Sequence, residues 1–305
     1  MGVMHEFFVA ETGRCRFYAK SYTLKDICSM MAEGMVVPAS APCVNVYVGV
    51  HQWITDRLPN DAFNIGIQTE QLFDTKGRKL WGRTSPYLAI IYMSKFDLVI
   101  DLNLPDAKAY PVWAFWGNLK FGPYLFSGRT VESLPSKDVS VLFIGTPNER
   151  RMAKIAETSA YYPVITLSKT TFNEADASLK RSAALLNIHY RKGVYTEWPR
   201  LLMAYLSGKI MVSEELTAPL QSGVHYLPIG APIDDENVRI IFDNIKKDIA
   251  DNYRFDSLLC MIDFRKRFLL LRSMVIFLSI RLHLFRATFK KRIKCLKRQL
   301  RGKLC

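Results

Sequence analysis

The stretch "LLNIHYRKGVYTEWPRLLMAYLSGKIMVSE", Leu185 to Glu214, decides how the rest of the chain is read. Two apolar runs flank a polar loop and a segment that opens on Glu197, Pro199 and Arg200 and stops at Gly208. Proline suits the first turn of a helix and glycine its end, so the order is strand, loop, helix, strand. In an α/β domain such loops gather at the carboxyl ends of the strands, where ligands bind.

The same alternation extends to both sides. "DVSVLFIGTPNERRMAKIAE" predicts a strand, a turn at Gly145 and a helix. "YYPVITL" predicts a strand, "NEADASLKRSA" a helix, "GVHYLPIG" a strand and "DDENVRIIFDNIKKDIADN" an acid-capped helix. Upstream, "EFFVAE", "VNVYVGV", "FNIGIQTE" and "FDLVIDLN" read as strands, with helices at "YTLKDICSMMAEG", stopped by Gly34, and "SPYLAIIYMSK". Strands alternating with helices imply mostly parallel sheets covered on both faces. At 305 residues there is room for two such units. The expected fold is α/β, with two Rossmann-like domains facing a cleft: residues 1–125, residues 126–253, then a helical tail over 254–305. Between them, Pro105 to Lys137 is rich in proline, glycine and aromatics and reads as an interdomain segment; its aromatics either pack between domains or line a groove.

A net charge of +14 invites a nucleic-acid reading until its location is traced. Of 42 lysines and arginines, 14 lie in 264–305, which holds no acidic residue; the other 28 balance the 28 acids of the body. A neutral globule with a basic tail argues against nucleic acid as partner and for a local electrostatic anchor. The tail has no apolar run near the roughly 20 residues of a membrane span. Arg286, Lys290, Lys294, Lys297 and Arg301 recur on one helical face, which predicts a basic amphipathic helix lying on an anionic membrane surface. A helix packed on the globule with solvated charges is the alternative. Six cysteines without a Cys-x-x-Cys pair, and no secretory start, predict reduced thiols in a cytoplasmic protein held peripherally at the inner face of a membrane.

Several residues carry the chemistry. Gly145, straight after a strand, lets an anion approach backbone N–H groups, and Arg150 or Arg151 in the next helix could clamp a diphosphate. Glu197 either complements a helix dipole behind a Thr196 cap or accepts from ribose hydroxyls. His189, at a strand end, is either a satisfied buried imidazole or a donor to a phosphate or sugar.

The segments "SAALLNIHYRKGVYTEWPRLLMAYLSGKIMVSEE" and "VLFIGTPNERR" resemble the nucleotide-binding half of GT-B glycosyltransferases, especially the group-1-like bacterial enzymes of polysaccharide and glycan biosynthesis. The resemblance covers about Asp138 to Tyr253; "FNIGIQTEQL" and "FDLVIDLN" are similar to the acceptor half. It implies transfer of a sugar, a hexose by class, from a nucleoside diphosphate sugar to a glycan or lipid-linked acceptor, without a cofactor or an essential metal. It places Glu197 on the donor ribose, Arg150 or Arg151 at the diphosphate and His189 near the phosphates or the sugar, with Arg200, Ser213 and Glu214 in the same pocket. Glu197→Ala should then abolish donor binding and leave the fold intact. Many retaining members carry two glutamates eight positions apart, where this chain has Tyr195 and Met203, so the stereochemical outcome stays open. An inverting route needs a general base from the first half, for which His51, Glu70 and Asp101 are the candidates. Two other readings stand beside this one: a GT-B scaffold that binds without turnover, and a dinucleotide oxidoreductase, which the missing three-glycine fingerprint disfavours.

Overall fold

A computed structural model of the chain describes residues 7–37, 42–53, 56–70, 95–103, 119–136, 138–168, 170–262 and 264. The helix expected at "SPYLAIIYMSK" up to its last residue, residues 105–118 and 137 of the interdomain segment, and the basic tail beyond Phe264 lie outside the described residues.

The first half is a six-stranded sheet in the order β1 (Phe8–Thr12), β2 (Cys15–Tyr18), β3 (Val44–Val48), β4 (Phe63–Gln68), β5 (Leu98–Asp101) and β6 (Leu119–Phe121). β1 and β2 form an antiparallel hairpin; every later pairing is parallel. β3 and β4 are buried along their whole length, as expected for parallel strands covered on both faces. Two strands were not expected. "CRFY" of β2 is too short to show alternation, and β6 lies inside the segment read as irregular. The strand order never reverses, so this sheet departs from the doubly wound, Rossmann-like order expected for it.

The second sheet runs β11 (Leu227–Pro228), β10 (Ile210–Ser213), β9 (Ala184–Asn187), β7 (Val141–Ile144), β8 (Val164–Leu167), all parallel. After β7 the chain adds β8 on one side and then crosses to place β9 on the other. The carboxyl ends of β7 and β9 therefore flank a topological switch point, where neighbouring loops diverge and leave a crevice. "GVHYLPIG" contributes only the two-residue β11.

Between β2 and β3 lies helix α1 (Tyr22–Ala32), and the second half carries α2 (Glu149–Thr158), α3 (Phe172–Arg181), α4 (Trp198–Leu206) and α5 (Asp235–Asn244), which runs on into a wider π-type turn over Ile245–Ala250. Trp198, Leu201, Leu202 and Tyr205 follow helical spacing and form the buried face of α4. Each such side chain contributes about 1.5–3 kcal/mol on burial. Gly208 ends the helix with φ +70°, and a Cβ there would fall 2.6 Å from the Glu132 carbonyl oxygen. Last comes α6 (Phe255–Met261), which returns to the first half: Phe255 packs on Phe17, and its N–H donates to the Phe126 carbonyl at 2.7 Å. α1 packs against α4, so the halves share one continuous core. No helix among the described residues is long and apolar enough to cross a membrane.

Candidate active-site cleft

A cleft of about 600 Å³ opens between the halves. One wall is α1 with Thr69 and Glu70, which follow β4; the other is built at the switch point from Ile144, Gly145, the starts of α3 and α4, and the loop carrying Tyr190, Arg191 and Tyr195. The carboxyl ends of both sheets thus face one space. Of the residues singled out in the sequence, Gly145, Glu197, Arg200 and Glu70 line it; Arg150, Arg151, His189, Ser213, Glu214, His51 and Asp101 do not.

Arg200 lines the cleft, as does the more exposed Arg191. Arg200 Nε pairs with Glu197 Oε2 at 2.7 Å, and its Nη1 donates to Asn187 Oδ1 at 2.9 Å. Nη2 makes no hydrogen bond among the described residues and presses against Gly145, where a Cβ would lie only 2.7 Å away. Gly145 adopts φ +151°, so the residue is glycine for two reasons, and the room it leaves is taken by a guanidinium. Burial lowers the Arg200 pKa, with Glu197 opposing and Arg151 adding to the fall. An anion beside Nη2 would relieve both the burial and the repulsion between the two arginines.

Glu197 is the N-cap of α4, yet its side chain caps nothing. Its carboxylate instead bridges two guanidiniums, Arg200 and Arg151, the latter from Oε1 at 3.0 Å. Thr196 is not the cap: its hydroxyl pairs with Thr217 Oγ1 at 2.8 Å. The start of α4 therefore leaves its backbone donors without a side-chain partner at the cleft, with Pro199 removing one of them. α3, whose first turn also lines the cleft, differs, because Thr171 and Glu174 close a capping box there.

The expected arginine clamp is corrected. Arg151 is 3% exposed and spends its donors on the Ile188 and Thr146 carbonyls and on Glu197, while its plane lies over Phe143 and Tyr190. Arg150 pairs with Glu214 and donates to the His189 carbonyl at 2.6 Å. Both face the loops that shape the cleft rather than the cleft itself.

His189 is a core imidazole with one ring nitrogen paired and the other, Nδ1, buried without a hydrogen-bond partner among the described residues. It is 1% exposed, its ring lies 4.2 Å from that of Tyr195, its backbone N–H donates to Glu214 Oε2 at 2.8 Å, and Nε2 sits 2.9 Å from the Glu215 carbonyl. Burial lowers its pKa, which keeps the ring neutral and Nε2 as the donor. Burial would raise the Glu214 carboxyl, but the hydrogen bonds from Arg150 and the His189 N–H outweigh it and the net shift is down. Ser213 is buried, accepting from Asn187 Nδ2 at 2.9 Å. These residues form a polar layer beneath the site and hold the β9 and β10 ends in place.

Glu70 is the candidate base that reaches the cleft. Gln68 Nε2 donates to the Glu70 carbonyl at 2.7 Å and fixes its backbone. Confinement between the walls raises its pKa, the Glu197 carboxylate across the cleft adds to the rise, and Arg191 opposes it. Asp101 is fully buried and accepts from Asn103 N and Nδ2, each at 3.1 Å. His51 lies in the short 3-10 turn Val50–Gln52 beyond β3, and burial lowers its pKa. Neither lines the cleft, whereas Glu70 does. Met203 also lines the cleft, giving that wall an apolar patch where a carboxylate would otherwise stand.

No family model matches this sequence, and no curated protein matches it. Among solved structures, the fold is similar to a mutant of S. aureus TarM in complex with Fondaparinux, alpha-GlcNAc-glycerol and UDP, at 13% identity and a TM-score of 0.36 over 76% of this chain and 55% of that one. A second structure of TarM gives 13% identity and a TM-score of 0.37 over 77% and 54%. This chain thus spans about half the length of those chains, and at these values the likeness assigns no family.

Proposed function

We propose that the chain is a GT-B-type glycosyltransferase that moves a sugar, a hexose by class, from a nucleoside diphosphate sugar to a glycan or lipid-linked acceptor, with the second half holding the donor and the first half the acceptor. The observation that carries this reading is Arg200, which lines the cleft with its Nη2 free of hydrogen bonds among the described residues, beside Gly145 at the switch point and in the first turn of α4. A guanidinium, an adjacent helix start and a glycine-opened backbone are the elements that meet a diphosphate.

In this proposal the diphosphate lies against Arg200 and the start of α4, where fixed positive charge stabilises the leaving group as the bond from sugar carbon to phosphate oxygen breaks. The acceptor hydroxyl forms the new bond to that carbon and gives its proton to Glu70, whose pKa is raised by desolvation and by the Glu197 carboxylate. Glu197 orients Arg200 and Arg151 and, with lone pairs beyond those two contacts, accepts from the ribose hydroxyls. No resident cofactor or metal is assigned a role. The basic segment 265–305 would hold the enzyme at an anionic membrane surface on the cytoplasmic side.

Thermal unfolding against a panel of nucleoside diphosphates tests the donor site, since a ligand at 100 times its Kd adds about 2.7 kcal/mol. At least one member should raise the transition. Arg200→Lys should weaken that member roughly tenfold or more, because a point charge does not replace a fork of donors. No stabilisation by any member at millimolar concentration refutes the reading. The apolar Met203 on the cleft wall favours one alternative, donor binding without transfer, which product analysis with the bound nucleotide sugar separates. Flotation with anionic liposomes, with and without 265–305, tests the anchor; equal flotation refutes it.

A further inference from the structure

The acceptor wall holds polar groups that the protein itself does not use. On α1, Thr23, Asp26, Ile27 and Met30 follow helical spacing and all line the cleft. The Asp26 carboxylate makes no hydrogen bond or ion pair among the described residues, and burial in this wall raises its pKa. A short distance away, at the end of β4, the Thr69 hydroxyl is buried at the cleft, again without a partner among the described residues. Native proteins rarely leave a buried polar atom unmet, so the Thr69 hydroxyl, with the partly buried and unpaired Asp26 carboxylate on the same wall, marks where a ligand's own hydrogen bonds belong.

The surface around them is aliphatic. Leu24, Ile27 and Met30 form the same wall, and Met203 faces them from α4. Such a surface gains free energy by covering apolar matter. A polyol laid along it would give up water without compensation.

We propose that the acceptor is an amphiphile: a hydroxyl-bearing head donates to Asp26 and meets the Thr69 hydroxyl, and an alkyl segment lies along Ile27, Met30 and Met203. The inference rests on the glycosyltransferase reading and narrows its acceptor to a lipid-bearing alcohol, leaving a free glycan as the excluded case. Asp26 and Thr69 are then specificity residues; Glu70, their neighbour on the wall, is the group that takes the proton.

The test is calorimetric titration of the full chain with n-octyl β-D-glucopyranoside below its micelle concentration, with glucose and with UDP. Octyl glucoside should bind and glucose should not at the same concentration. Asp26→Asn, which breaks no contact inside the protein, should weaken octyl glucoside roughly tenfold or more, the loss expected for a hydrogen bond to a charged group. Met30→Gln should weaken it without creating glucose binding, and unchanged denaturation midpoints would show that both variants stay folded. Equal binding of octyl glucoside and glucose, or full octyl glucoside affinity in Asp26→Asn, overturns the inference. UDP binding without octyl glucoside binding sinks the amphiphile alone; octyl glucoside binding with no nucleoside diphosphate bound sinks the donor reading while the amphiphile site stands.

Discussion

Replacing Glu197 by alanine should damage the fold before it is informative about a ligand. The carboxylate sits between Arg151 and Arg200, whose side chains are only 4% and 15% exposed, with contacts of 3.0 and 2.7 Å. Both guanidiniums also lie over the face of Phe143, at 5.4 and 5.6 Å. Without Glu197 two buried cations remain side by side with no countercharge. Breaking a buried pair from one side costs about 3–5 kcal/mol. A domain's whole stability is about 5–15 kcal/mol, so the variant should lose about a fifth of it or more. Urea denaturation of the parent, Glu197→Ala, Arg151→Met and the double variant gives the coupling energy directly. The double variant should be more stable than Glu197→Ala, because it removes the stranded Arg151 charge. If Glu197→Ala lies within about 1 kcal/mol of the parent, the bridge behaves as an exposed pair and the reasoning fails. The expectation from the sequence, loss of donor binding with an intact fold, is thereby revised: nucleotide affinity of this variant has to be measured at a temperature where it is folded.

Two further outcomes follow from single residues. Gly145→Ala should cost about 1–3 kcal/mol, since φ +151° disfavours a side chain and the new Cβ would meet Arg200 Nη2 at 2.7 Å; nucleoside diphosphate affinity should fall with it, and retained stability and affinity together would refute the packing. Lys209 is fully buried with its Nζ unpartnered among the described residues, and burial lowers its pKa from 10.5 to about 8. The unfolded chain therefore holds a proton that the folded one releases between pH 8 and 10.5, so this lysine's contribution to stability improves as pH rises through that window and its full penalty stands below it. At pH 7 Lys209→Met should gain up to about 3 kcal/mol, and the gain should shrink toward pH 10.5; denaturation midpoints at pH 7 and 10 read both, and a constant difference would contradict the assignment.

Most of the second half was legible because its elements announce themselves locally. Gly34 and Gly208 end helices where a left-handed residue is needed, and Asp234 caps α5 through the Asn237 N–H. Strand–helix order put Gly145 and Glu197 at strand and helix ends, and the resemblance to a known family added Arg200 to the same pocket. What escaped was which way each polar group is aimed. Arg150, Arg151 and Arg200 look alike in a sequence, yet neighbouring carbonyls and carboxylates turn the first two toward the loops and leave the third lining the cleft. Thr196 looked like a cap until Thr217, 21 residues on, offered it a partner. β2 and β6, of four and three residues, are too short to carry a period. The acceptor wall did leave a signal: Asp26 interrupts an otherwise apolar stripe of α1, with Leu24, Ile27, Met30 and Met31 buried around it.

The return of α6 to the first half also has a mechanical side. The chain leaves the first half after β6 and comes back at Arg254, and these two passages run against each other: the rings of Tyr124 and Tyr253 meet at 5.4 Å, Phe126 bridges Arg254, and Gly122 lies beneath Tyr253. They form one seam, so the two crossings between the halves are tied side by side. Phe264 then rests on Phe63 at the amino end of β4, the end away from the cleft. If the proposed membrane anchor holds, a surface gripped by residues 265–305 would meet the first half on the side turned away from the cleft, and leave the mouth of the cleft unobstructed.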